Sequence, residues 1–243
     1  MPLRRLPLLA AAAAACALAL PAGASAQAAP DSRIVYVSNE AGNYDVYSVA
    51  LDGSDKRRLT STPQDELDPA GSPDGSKIAF VRASGDNRDI WVMDRDGSHE
   101  HQLTANPASD RYPSWSADGS QIAFRSNRRP STSFDIWRMR ADGTHEVRVT
   151  ADAATWGDSL ETAPSWSPDG SRLTFVSDRD GNDEIYAIGA DGSAARRMTS
   201  NTATEDAPAW SPDGSKIAFV SDRTGNAEIF SMRASDGGGE TDL

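Results

Sequence analysis

Short apolar runs interrupt an otherwise polar chain at nearly regular intervals. Ile34-Val35-Tyr36-Val37, Ile78-Ala79-Phe80-Val81, Ile122-Ala123-Phe124, Leu173-Thr174-Phe175-Val176 and Ile217-Ala218-Phe219-Val220 are each bounded by turn-forming residues. Runs of that length and setting read as strands buried on both faces. A five-residue word precedes the last four. It is Trp-Ser-Pro-Asp-Gly at Trp166–Gly170 and Trp210–Gly214, Trp115-Ser116-Ala117-Asp118-Gly119 in a near copy, and Gly71-Ser72-Pro73-Asp74-Gly75 in a reduced one. The words begin at 71, 115, 166 and 210, intervals of 44, 51 and 44 residues, and a period in that range signals a solenoid or propeller.

Each part of the period has a structural task. Pro113, Pro164 and Pro208 are expected at the entry of a short strand, where the missing N–H removes no ladder bond. In the tetrad that follows, Pro168 presets φ, Asp169 accepts the second turn position, and Gly170 takes a conformation that a Cβ would oppose. The apolar run is a second arm. Val46-Tyr47, Ile90-Trp91, Ile136-Trp137, Ile185-Tyr186 and Ile229-Phe230 make a third, with aromatics set to wedge between sheets. Asp-Gly turns at 52, 96, 142 and 191 lead to a fourth arm, Leu59-Thr60, Leu103-Thr104, Val149-Thr150 and Met198-Thr199. Four short strands per unit define an all-β propeller blade. Trp115, Trp166 and Trp210, with Gly119, Gly170 and Gly214, are therefore read as repeat anchors. About five blades are present. The first lacks its opening strand and the last ends inside a fourth arm, which predicts an incomplete six-bladed propeller with a further blade and a closing strand beyond Leu243.

The succession Trp-Ser-Pro-Asp-Gly, Ile-Ala-Phe, Ser-Asp-Arg, Ile-Tyr, Asp-Gly, Leu-Thr resembles the WD40-like PD40 repeat of the TolB propeller, across essentially all of residues 27–243. The resemblance implies a periplasmic protein that recognises another envelope protein, with a peptidoglycan-associated lipoprotein as the partner type. TolB carries a separate domain ahead of its propeller, whereas here the first strand begins close to the leader.

That leader is residues 1–26: a basic Arg4-Arg5 start, an Ala/Leu-rich stretch to Leu20, and Ala24-Ser25-Ala26 as the cleavage site of a signal peptide. Cleavage places the protein in the periplasm or outside the cell, without a membrane span. It leaves no cysteine, so packing alone stabilises the fold, and 22 basic against 36 acidic residues, a net charge of −14. Such a surface repels phosphate backbones and makes nucleic acid an unsuitable partner.

Candidate chemistry is sparse. Gly157-Asp158-Ser159-Leu160 spells a hydrolase nucleophile block, but no histidine follows His145 to act as base. His99-Glu100-His101 has no third ligand in view, and Asp178, Asp180, Asn182 and Glu184 read as a turn before a calcium loop. Neither a metal nor a cofactor is expected, and the chain is read as non-catalytic. Glu66, Asp110, Glu161 and Glu205 recur three residues before the anchor proline, so they belong on one end of the propeller near its axis. They either cap their own loops or form a ring that recognises a basic peptide or a cation. Tyr112 and Trp156, on inter-blade loops, either pack there or stack on a sugar. A recognition or gating propeller of a larger prolyl-oligopeptidase-type enzyme is the alternative to an envelope recognition module.

Overall fold

The computed structural model describes residues 32–128, 133–150 and 159–243. The leader and Trp156 lie outside them. Among the described residues, nineteen strands form five antiparallel sheets in chain order. Blade one holds β1 (Arg33–Ser38), β2 (Asp45–Ala50) and β3 (Arg57–Arg58); blade two holds β4 (Glu66–Gly71), β5 (Lys77–Ser84), β6 (Asn87–Asp94) and β7 (His101–Gln102). Blade three is β8 (Asp110–Trp115), β9 (Gln121–Ser126), β10 (Asp135–Arg140) and β11 (Val147–Arg148). Blade four is β12 (Glu161–Trp166), β13 (Arg172–Ser177), β14 (Glu184–Gly189) and β15 (Arg196–Arg197), and blade five is β16 (Glu205–Trp210), β17 (Lys216–Ser221), β18 (Glu228–Arg233) and β19 (Thr241–Asp242). The sheets follow one another around an axis, with β4, β8, β12 and β16 adjacent as the innermost strands. This is a β-propeller.

The core lies between blades rather than within one, because alternate side chains of each second and third arm face opposite neighbours. Ala79 and Ile90 of blade two pack with Ile122, Phe124 and Met139 of blade three; Ala123, Ile136 and Val149 pack with Trp166, Leu173 and Phe175 of blade four. Val176, Ile185 and Met198 in turn meet Ile217, Phe219 and Phe230 of blade five. The packing that joins neighbouring blades runs from the first to the fifth, and among the described residues none comparable joins the fifth to the first. Accordingly Ile229 is 55% exposed, whereas its counterparts Val46, Ile90, Ile136 and Ile185 are 0% exposed.

The anchor words behave as their residues dictate. In each tetrad the aspartate accepts from the preceding serine and from the following backbone N–H, as Asp169 does from Ser167 Oγ at 2.6 Å and Ser171 N at 3.0 Å. Those bonds hold the carboxyls of Asp74, Asp169 and Asp213 down at about 2. Gly119, Gly170 and Gly214 take φ of 70°, 68° and 69°, the left-handed region where a Cβ is strained. Two of the three anchor tryptophans staple blades together: Trp115 Nε1 donates to Ala70 O at 3.0 Å and Trp166 Nε1 to Ser114 O at 3.2 Å, each on the innermost strand of the blade before, whereas Trp210 Nε1 makes no such bond among the described residues. Gly71 stands at this position in blade two, and among the described residues blade one has no innermost strand for a tryptophan to reach.

One expectation requires correction. Pro113, Pro164 and Pro208 do not open their strands but lie inside them, where the pairing register slips between Arg111 and Ser114, Thr162 and Ser165, and Asp206 and Ala209. A bulge supplies the unpaired position that proline needs just as a strand entry would. The residue before each proline, Tyr112, Ala163 or Ala207, has φ of 53°, 49° or 50°.

Candidate functional site

The recurrent carboxylates open the innermost strands and face inward. Glu66, Asp110 and Glu205 are 0% exposed and Glu161 is 1% exposed. Three of them meet the arginine of the second-arm end or the hairpin after it: Glu66 Oε1 accepts from Arg82 Nε at 2.7 Å, Asp110 Oδ2 from Arg128 Nη2 at 2.8 Å, and Glu205 Oε1 from Arg223 Nη2 at 2.9 Å. The same arginines bind an outer carboxylate, Glu100, Glu146 and Glu240 respectively. Each guanidinium also lies over a third-arm aromatic, Arg82 at 4.4 Å from the Trp91 centroid, Arg128 at 4.8 Å from Trp137 and Arg223 at 4.5 Å from Phe230. A buried charge of either sign is tolerated only when paired in this way.

Blade four departs from the pattern. Ala195 stands where blade three has Glu146, and the Glu161 carboxylate accepts from the hydroxyls of Ser159 and Ser177 rather than from a guanidinium. Burial, reinforced by the nearby charge of Asp135, pushes the Glu161 carboxyl up to about 7 against the pull of Ser159, Ser177 and Arg179. Ser159, the nucleophile of the hydrolase-like block, thus serves as a donor to Glu161; Gly157 and Asp158 lie outside the described residues.

A second carboxylate row was not read from the sequence. Asp45, Asp135 and Glu184 open third arms, are 0–2% exposed, and pair with Arg58, Arg148 and Arg197 of the fourth arms. The Leu-Thr motif explains itself here: the hydroxyls of Thr60, Thr104, Thr150 and Thr199 accept the N–H of Val46, Ile90, Ile136 and Ile185 at 2.9–3.0 Å.

Tyr112, expected on an inter-blade loop, lies instead within β8 at the blade-three bulge, with Arg111 and Arg125 at 4.9 and 5.0 Å from its ring centroid. His99 is exposed and bonded to Asp94. Asp180 pairs with Arg197, and Asn182 bonds to the carbonyls of Asn201 and Ala203, so that segment is a braced hairpin turn. At the opposite end, a cavity of about 150 Å³ lies between the anchor turns of blades four and five, lined by Pro168, Arg172 and Trp210. No helix among the described residues is long and apolar enough to cross a membrane.

Inter-blade cores and bulged innermost strands define a β-propeller built from short antiparallel blades. Residues 154–241 match the family described as the TolB beta propeller domain, and residues 27–134 match the Tricorn protease N-terminal beta propeller domain. The chain carries a TolB-like β-propeller. Crystalline TolB from Acinetobacter baumannii is 26% identical, with a TM-score of 0.74 over 87% of this chain and 52% of that one. A puromycin-hydrolyzing peptidase of Mycobacterium tuberculosis has the same fold at 17% identity and a TM-score of 0.63, over 86% of this chain and 38% of that one. An uncharacterized peptidase of Bacillus subtilis (strain 168), YuxL, is 44% identical over 46 residues, 18% of this chain and 7% of its own. The chain thus spans about half of the Acinetobacter TolB and a small part of YuxL.

Proposed function

We propose that the chain is a non-catalytic recognition module of the bacterial envelope, periplasmic or secreted after removal of residues 1–26, that binds another envelope protein. The observation that carries this reading is the TolB likeness over 87% of the chain. The geometry supports it, because the strongly charged side chains of the axial end are engaged in bracing the blades, which gives a rigid frame for irregular loops. A partner resembling the peptidoglycan-associated lipoprotein fits the same reading. The test is affinity capture from a periplasmic extract with the full chain, followed by cross-linking. A single envelope protein recovered at a defined surface supports the proposal, and recovery of none refutes it.

The second reading, a recognition or gating propeller of a larger hydrolase, is favoured by the 44% identity to part of a peptidase. Fluorophosphonate labelling of the native protein, with turnover of aminoacyl-coumarin substrates, would establish it in place of the first.

A further inference from the structure

The repeat is broken inside the core at one position. The residue after the second-arm phenylalanine is Val81, Val176 and Val220 in blades two, four and five, but Arg125 in blade three. The pairing register confirms the equivalence, since Leu67 faces Val81, Arg111 faces Arg125, Thr162 faces Val176 and Asp206 faces Val220. Valine packs there in blades two and four, with Val81 0% and Val176 2% exposed, and is half-buried as Val220 in blade five.

Arg125 instead places a guanidinium at the seam with blade four. Its Nη1 donates to Thr162 Oγ1 at 3.2 Å, and its Cζ lies 4.1 Å from the Phe134 centroid. Directly across the ladder stands Arg111, a like-charge pairing that destabilises a sheet. Arg88, from the blade-two hairpin, adds a further positive charge within electrostatic reach of Arg125. Asp68 balances part of this, held by Arg111 Nε at 3.1 Å. The Nε groups of both Arg125 and Arg88 are buried without an acceptor. Arg111 and Arg125 face each other with the Asp68 carboxylate bonded to Arg111, and with Arg88 in electrostatic reach they form a locally cationic cluster in a chain whose net charge is −12. Among the described residues, Asp68 is the carboxylate bonded to this cluster, through Arg111, while Arg125 rests on the Tyr112 and Phe134 rings and on Thr162.

We propose that Arg88, Arg111 and Arg125, with Tyr112 beside them, form a binding site for the carboxylates of an acidic peptide segment at the seam of blades three and four. Planar guanidinium forks match planar carboxylates in paired hydrogen bonds, and the ring of Tyr112 gives them a flat neighbour. An incoming carboxylate relieves the repulsion between Arg111 and Arg125, so binding gains from strain present in the free protein. The acidic surface elsewhere opposes long-range attraction, which makes the contact short-ranged and selective for a segment that fits the seam.

This proposal rests on the recognition reading and adds the partner's chemistry to it. The test is calorimetric titration of the full chain with an acetylated, amidated peptide rich in Asp and Glu, with the same peptide carrying Asn and Gln, and with inorganic phosphate. Binding of the acidic peptide alone, weakened about tenfold or more by Arg125→Val while the melting temperature holds or rises, is the expected result. Arg125→Gln, which keeps a polar group against Thr162, gives the same loss if the valine variant folds poorly. Equal binding of the two peptides, undiminished binding by both variants, no binding by the native chain, or Arg125-dependent binding of phosphate instead of peptide overturns the proposal. Failure of the recognition reading shows separately, as acidic-peptide binding without any captured partner.

Discussion

Glu161 offers the sharpest test of how the axial carboxylates are held. Its carboxyl is raised from 4.5 to about 7, chiefly by burial. A carboxyl raised on folding makes the native state bind a proton that the unfolded chain releases. Stability from this group is therefore complete below about 4.5, falls as pH rises through the window from 4.5 to about 7, and is flat above it. A shift of that size corresponds to about 3 kcal/mol between the two plateaus, at 1.36 kcal/mol per pH unit. Glu161→Gln keeps an acceptor for Ser159 and Ser177 but removes the titration. Urea unfolding of both proteins at pH 5, 6, 7 and 8 should show the variant's relative stability climbing by about 2–3 kcal/mol toward pH 8. A difference that stays constant across the series would refute the claim that burial raises this carboxyl.

Three further outcomes follow from packing. Trp166→Ala should lose about 3–5 kcal/mol in denaturant unfolding, and Trp166→Phe about 1 kcal/mol for the bond to Ser114 O, without change in secondary structure by circular dichroism. Gly192→Ala places a Cβ 2.7 Å from Val149 O at φ +88°, so it should lower the melting temperature clearly more than Gly42→Ala, which has a positive φ but open space around it. Ile185→Ala should cost about 2–5 kcal/mol, and Ile229→Ala well under half as much, because the latter side chain is 55% exposed; equal losses would mean that Ile229 is covered in solution.

Strand number, turn positions and the buried second arms were legible because each depends on local chemistry: Pro and Gly set backbone angles, and short apolar runs demand burial on both faces. Pro164 shows where that legibility ends. Proline reports that its N–H is unneeded, but a strand entry and a bulge meet that condition equally, and only the pairing of Thr162 with Val176 and Ser165 with Thr174 separates them. The carboxylate row was legible as a row, since the period places Glu66, Asp110, Glu161 and Glu205 at one end of successive blades. Their pairing was not, because it depends on arginines 16 to 18 residues downstream, across a hairpin whose shape must be known first. The repeated Ser-Asp-Arg piece was the available signal, and only its turn was read.

The distinction between a repeated charge and a solitary one changes where function should be sought. A carboxylate that recurs with its own arginine in blade after blade is part of the fold: Glu66, Asp110 and Glu205 each match a guanidinium that the same blade supplies, and their burial depends on that match. Removing one such partner from a blade destabilises it before any specificity changes. Arg125 obeys the opposite logic. It stands where blades two, four and five have valine, and directly across the ladder it faces another arginine, Arg111, instead of a carboxylate of its own blade. Its partners come from neighbouring blades, Thr162 directly and Asp68 through Arg111, and the proposed acidic segment would add to them the carboxylate that the repeated arginines find within their own blade.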